Sequence, residues 1–183
     1  MYTYISLLRG INVSGQKRLL MADLKALYEA LGFEQVITYL QSGNVIFASP
    51  DEDRSEISAK IEKGIQQSFG YQVPVIIRDR LDFQRIIQAN PFTHRQEVDP
   101  ERLYVTFLSA PPSEKSLTEL AIPAGIADEF KTNGAEIYLH IPGGYGRTIL
   151  SNNYFEKKLD LVATTRNWKT VNTLFVLAST KDH

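Results

Sequence analysis

Two stretches carry one pattern: IIRDRLDFQRII at residues 76–87 and TTRNWKTVNTLF at residues 164–175. In each, a strand signal ends in an arginine (Arg78, Arg166), and an Asp or Asn stands where a helix N-cap belongs. Short side-chain oxygens at that position accept from the free amides of the first helical turn. Apolar residues then recur at helical spacing, Phe83, Ile86 and Ile87 in the first stretch and Val171, Leu174 and Phe175 in the second. The two superpose at a constant offset of 88 positions. That match predicts an internal duplication, with a strand running into a helix at the end of each half.

The first half alternates strand and helix signals. Tyr4–Leu8 reads as a strand, and Leu20, Leu24, Leu27 and Leu31 line one face of a helix stopped by Gly32. Val36–Leu40 and Val45–Ala48 are short strands joined by Gln41-Ser42-Gly43-Asn44, which has hairpin-turn chemistry. A helix over 52–69, a strand over 73–77 and a short helix over 79–89 follow. The second half repeats the order: a strand over 103–108, a helix from Ser113 to Leu120, and strands over 126–131 and 135–141 around Asn133-Gly134. A helix over 152–159, a strand over 161–165 and a terminal helix from Trp168 complete it. Each half is β-α-β-β-α-β plus a closing helix. The expected fold class is therefore α+β, two ferredoxin-like halves with antiparallel sheets. The proline-bracketed stretch Pro91–Pro100 sets the expected division into residues 1–92 and 93–183.

The chain has 183 residues, no cysteine and a net charge of −1 from 20 basic and 21 acidic residues. Disulfides, thiolate chemistry and cysteine-ligated zinc are excluded together. The near-zero charge disfavours a nucleic-acid partner that works by counterion release. Met1 leads directly into an apolar strand, without the charged segment and cleavage site of a signal peptide. No run approaches the length of a membrane span. A cytoplasmic protein without a membrane partner is expected.

In the ferredoxin-like order the third strand lies antiparallel beside the first. The end of strand one therefore meets the hairpin turn, which brings Arg9, Gly10 and Asn12 beside Ser42, Gly43 and Asn44. In the second half, the loop 142–147 and the strand end at Arg166-Asn167 share the opposite edge. Two polar corners result, each with arginine, asparagine and glycine.

The blocks LLRGINVSG (7–15), MADLKALYEALGF (21–33), TYLQSGNVIF (38–47) and TTRNWKTV (164–171) resemble the signature blocks of a widespread bacterial family of unknown function. Its members open with LLRGINVGG and close with TTRNW. The resemblance covers essentially the whole chain and implies a two-part α+β fold related to ferredoxin-like units. It implies no established activity, substrate or cofactor. Ser14 stands where the family motif has glycine.

The candidate ligand-binding residues are Arg9, Asn12, Ser42 and Asn44 in one corner and Arg166 with Asn167 in the other. Arginine offers a planar fork of donors, Asn and Ser add hydrogen bonds, and glycine lets backbone approach. Lys17 and Arg18 stand just before a helix start, where anions are favoured. These features point to a small anionic or phosphorylated ligand. A structural reading competes, in which the same residues brace the sheet edge and shape the turn. The glycine-rich 143–148 lacks the spacing of a P-loop or dinucleotide loop. His94, His140 and His183 are scattered, no carboxylate cluster has metal spacing, and no nucleophile motif occurs, so no reaction, metal or cofactor is assigned. The alternative is an RNA-recognition-like or protein-interaction module using open sheet faces. There Tyr104, Tyr138 and His140, with Tyr2 and Tyr4, would line the side away from the helices.

Overall fold

The computed structural model describes residues 1–180. The first half runs β1 (Tyr2–Leu8), α1 (Met21–Ala30), β2 (Glu34–Tyr39), β3 (Asn44–Ser49), α2 (Arg54–Phe69), β4 (Val75–Asp79) and α3 (Arg80–Gln88). The same order returns as β5 (Leu103–Leu108), α4 (Glu114–Leu117), β6 (Glu129–Asn133), β7 (Glu136–His140), α5 (Asn152–Leu159), β8 (Ala163–Asn167) and α6 (Trp168–Ser179). The strands form two four-stranded antiparallel sheets, ordered β2-β3-β1-β4 and β6-β7-β5-β8. This is the expected α+β architecture. The described residues divide into two compact units, one of Met1–Arg85 with residues 173–180, the other of Ile86–Asn172.

The halves agree in register. Tyr4 lies opposite Asp79 and Leu8 opposite Val75; Tyr104 lies opposite Asn167 and Leu108 opposite Ala163. The Leu8 amide donates to the Gly43 carbonyl and the Leu108 amide to the Ala135 carbonyl, each at 2.9 Å. One residue on, Arg9 donates to Pro74 and Ser109 to Val162, again at 2.9 Å. Arg9 and Ser109 thus occupy equivalent places at the end of the first strand of each half.

In the first unit Tyr4, Leu8, Val45, Phe47, Val75 and Ile77 face Leu24 and Tyr28 of α1 and Ile57, Ile61 and Ile65 of α2. The Ser6 hydroxyl bonds the buried Tyr28 hydroxyl at 2.8 Å, and burial pushes the Tyr28 phenol up. In the second unit Leu108, Ile137 and Leu139 pack with Phe155 and Leu159 of α5, and Tyr104 joins them. This corrects the expected sheet faces. Tyr4 and Tyr104 lie on the helix side, and Tyr104 is on the face opposite Tyr138, which pairs with Val105. Nearly every residue of β1 and β5 is buried, so polar and apolar positions do not alternate and the pattern has no readable phase. Tyr138 is 2% exposed and donates its hydroxyl to the Ile86 carbonyl at 2.8 Å. It offers no open surface for base stacking.

Element ends shift for local reasons. Leu20, expected in the buried stripe of α1, is its N-cap and is 68% exposed. α4 is a single turn capped by Ser113, and β8 runs on to Asn167. The duplicated caps are as expected. The Asn167 side chain accepts from the Thr170 amide at 2.8 Å, and that of Asp79 from the Asp82 amide at 2.7 Å. Asp82 returns the bond by accepting from the Asp79 amide at 3.0 Å, a reciprocal capping box.

Asp82 also takes the Arg54 guanidinium at 2.6 Å and that of Arg85, while being only 8% exposed. Burial alone would raise its carboxyl, but the Asp79 amide and the two guanidiniums outweigh burial and hold it below the usual carboxylate range. A carboxyl held low gives stability that is full above its unfolded value, about 4, and is lost as pH falls through the folded value. Asp82→Asn is therefore expected to cost about 1–3 kcal/mol at neutral pH. Urea titrations should show that gap closing below pH ~4; a gap undiminished at pH 3 would contradict the assignment.

Candidate functional site

The end of β1 and the hairpin turn meet as the topology requires, since Leu7 lies opposite Asn44. Gly43 makes the meeting possible. Its φ is +84°, and a Cβ there would lie 2.7 Å from Ile11 Cδ1 and 2.9 Å from Leu8 Cβ. Beyond β1 the chain makes a loop from Arg9 to Leu20, held by Asn12. The Asn12 Nδ2 donates to the Leu19 carbonyl at 3.0 Å and the Gln41 carbonyl at 2.8 Å, and its Oδ1 accepts from the Leu19 amide at 2.8 Å. One amide thus ties the loop's start to its end and both to the turn. Lys17 Nζ donates to the Gln72 carbonyl at 2.6 Å, and Asn44 Nδ2 to the Tyr39 carbonyl at 2.7 Å and Ser42 Oγ at 3.1 Å.

The corner therefore does gather Arg9, Asn12, Ser42 and Asn44. The two asparagine amides are engaged with backbone and with Ser42, and Arg9 is half-buried. Among the described residues, four of the six non-glycine positions with positive φ lie here, Asn12 (55°), Ser14 (51°), Lys17 (45°) and Leu40 (61°). Such conformations cost of order 1–3 kcal/mol each and concentrate at ligand clamps and active sites.

Against this frame lies an open pocket of about 460 Å³, lined among others by Asn12, Arg18, Leu20, Asp23, Gln41 and Phe69. Arg18 is exposed and makes no hydrogen bond or ion pair with the described residues. Leu20, at the N-cap, supplies no side-chain cap to α1. The start of that ten-residue helix thus keeps the partial positive charge of its amides. Phe69 comes from the last turn of α2.

The second corner is tied to itself. Arg166 is 6% exposed, its Nη1 donating to Thr164 Oγ1 at 2.7 Å and to the Thr165 carbonyl at 3.0 Å, and Asn167 caps α6. The glycine-rich 143–148 forms one 3₁₀ turn, with the Tyr145 ring 5.2 Å from that of Tyr104. Nearby, Glu129 receives Arg95 Nη1 at 2.9 and 3.0 Å and sits 3.2 Å from His140 Nδ1. Burial alone would raise Glu129, but Arg95 and His140 outweigh it and hold it low. Among the described residues no three His, Asp or Glu side chains group to hold a metal ion, and no helix is long and apolar enough to cross a membrane.

Sequence reasoning reached Arg18 only as a neighbour of a helix start and Gln41 only as a turn residue. It missed Phe69, which is remote in the chain and carries no local signal.

The solved structure of conserved bacterial protein SP0830 from Streptococcus pneumoniae resembles the chain with a TM-score of 0.72. The likeness covers 97% of this chain and 98% of that one at 21% identity, which shows a shared fold. No curated protein matches the sequence. The model of the family described as Protein of unknown function (DUF1697) matches residues 1–138, and the chain belongs to that family.

Proposed function

We propose that this is a cytoplasmic protein that binds a small anionic or phosphorylated ligand in the pocket beside the end of β1. The carrying observation is Arg18, a guanidinium without a protein partner among the described residues, at a pocket of about 460 Å³. It stands beside a helix start that lacks a side-chain cap. Planar guanidinium donors suit carboxylate and phosphate oxygens, and exposed helix amides favour the same charge. Asn12, Ser42 and Asn44 frame the site by fixing loop and turn. Arg9 supports the reading through its counterpart: Ser109 closes the equivalent edge of the second sheet, so the duplicated framework does not itself demand an arginine there. At the Arg166–Asn167 corner the side chains bond to their own strand and helix, so the proposal rests on the first corner.

A thermal-shift screen of sugar phosphates and dicarboxylates tests it, with Arg18→Ala beside the wild type. A ligand at 100 times its dissociation constant adds about 2.7 kcal/mol, which should raise the wild-type midpoint by roughly 5–10 °C. Loss of a charged hydrogen bond of about 1.5–3 kcal/mol should weaken binding about 10- to 100-fold in the variant. The exposed side chain leaves the ligand-free midpoint within about 1 °C of wild type. A screen without shifts, or shifts retained in Arg18→Ala, would contradict the proposal.

A further inference from the structure

The lining of the Arg18 pocket is chemically mixed, and this narrows the ligand class; the inference rests on the anion-binding reading above. Leu20 is 68% exposed at the α1 N-cap. There Ser, Thr, Asp or Asn would satisfy a free amide, and a leucine neither caps the helix nor buries itself. A local rule broken without structural gain marks a position held for another purpose. Phe69 adds an aromatic surface to the same lining. Asp23, also in the lining, would repel a bare polyanion but accepts from hydroxyl or amino donors, and the Gln41 side chain can both donate and accept. An inorganic anion or a plain sugar phosphate would leave the apolar surface in water.

We infer that the pocket takes an aromatic phosphate monoester of the nucleoside monophosphate class. Its phosphate meets Arg18, its ring lies against Leu20 and Phe69, and its sugar hydroxyls or exocyclic amine donate to Asp23 and Gln41. Stacking a base on an aromatic side chain contributes about 1–3 kcal/mol.

Calorimetric titration of the full chain with adenosine monophosphate and with ribose 5-phosphate tests this. Adenosine monophosphate should bind about 5- to 100-fold more tightly than ribose 5-phosphate, and both should be lost in Arg18→Ala. Leu20→Ser should remove much of that preference while raising the ligand-free melting midpoint by about 2–4 °C, because serine supplies the missing cap. A purely structural Leu20 would give the stabilisation without the change in preference, which would overturn the inference. Equal affinities for the two probes, both abolished by Arg18→Ala, would overturn the aromatic assignment and leave the anion site standing. Binding indifferent to Arg18→Ala, or no binding of either probe, would overturn both.

Discussion

Asn12→Ala is expected to destabilise the protein by about 2.5–5.5 kcal/mol and to abolish ligand-induced thermal shifts at the pocket. The substitution removes three hydrogen bonds, two donated by Nδ2 to the Leu19 and Gln41 carbonyls and one accepted by Oδ1 from the Leu19 amide. Each contributes about 0.5–1.5 kcal/mol net, and alanine is disfavoured at φ +55° by about a further 1 kcal/mol. For a chain of this size the melting midpoint should fall by roughly 5–20 °C. Asn12→Gly separates the contributions. Glycine accepts the backbone conformation but supplies no amide, so it should recover only the last of these costs. If the alanine variant melts within a degree or two of wild type, the loop does not depend on this side chain, and the frame assigned to the pocket is wrong.

Gly43→Ala should be of similar size for a different reason. At φ +84° any L side chain is strained, and the new Cβ would meet Leu8 Cβ at 2.9 Å and Ile11 Cδ1 at 2.7 Å. Ile11 can yield by rotating, but Leu8 Cβ is fixed to a strand. The positive φ costs about 1–2 kcal/mol and overpacking about 1–3 kcal/mol, so a loss of about 2–5 kcal/mol is expected in chemical denaturation. Gly134, in the turn of the second half, also has a positive φ (+59°), with nothing within 4 Å of its Cβ position. Gly134→Ala should therefore show the conformational cost alone. Equal losses at the two glycines would mean that the close approach to β1 contributes nothing.

Much of the architecture was legible because it is written locally. Asp79 and Asn167 announced two helix starts, Asn133-Gly134 a hairpin, and the repeated order of elements a duplicated sheet. Once that order was granted, the meeting of Arg9 with Ser42 and Asn44 followed from topology. The sheet faces were not legible. β1 and β5 are buried on almost every residue, so Tyr4 and Tyr104 gave no indication of which side they take. Nor could the sequence say that the Asn12 and Asn44 amides turn to nearby backbone carbonyls, since that depends on loop geometry set by residues far away. The pocket's apolar wall was hidden for a similar reason. Phe69 reaches it only through the packing of α2, and Leu20 reads as part of a helical stripe until the helix is seen to begin at Met21.

The claim that the pocket beside β1 receives a phosphate-bearing ligand is tested most directly by titrating the ¹⁵N-labelled protein with ribose 5-phosphate and following its amide resonances. Saturable shifts confined to Arg18, the first turn of α1 and Gln41, and absent in Arg18→Ala, are the predicted result. Resonances that do not move, or that drift linearly across the surface without saturating, would contradict it.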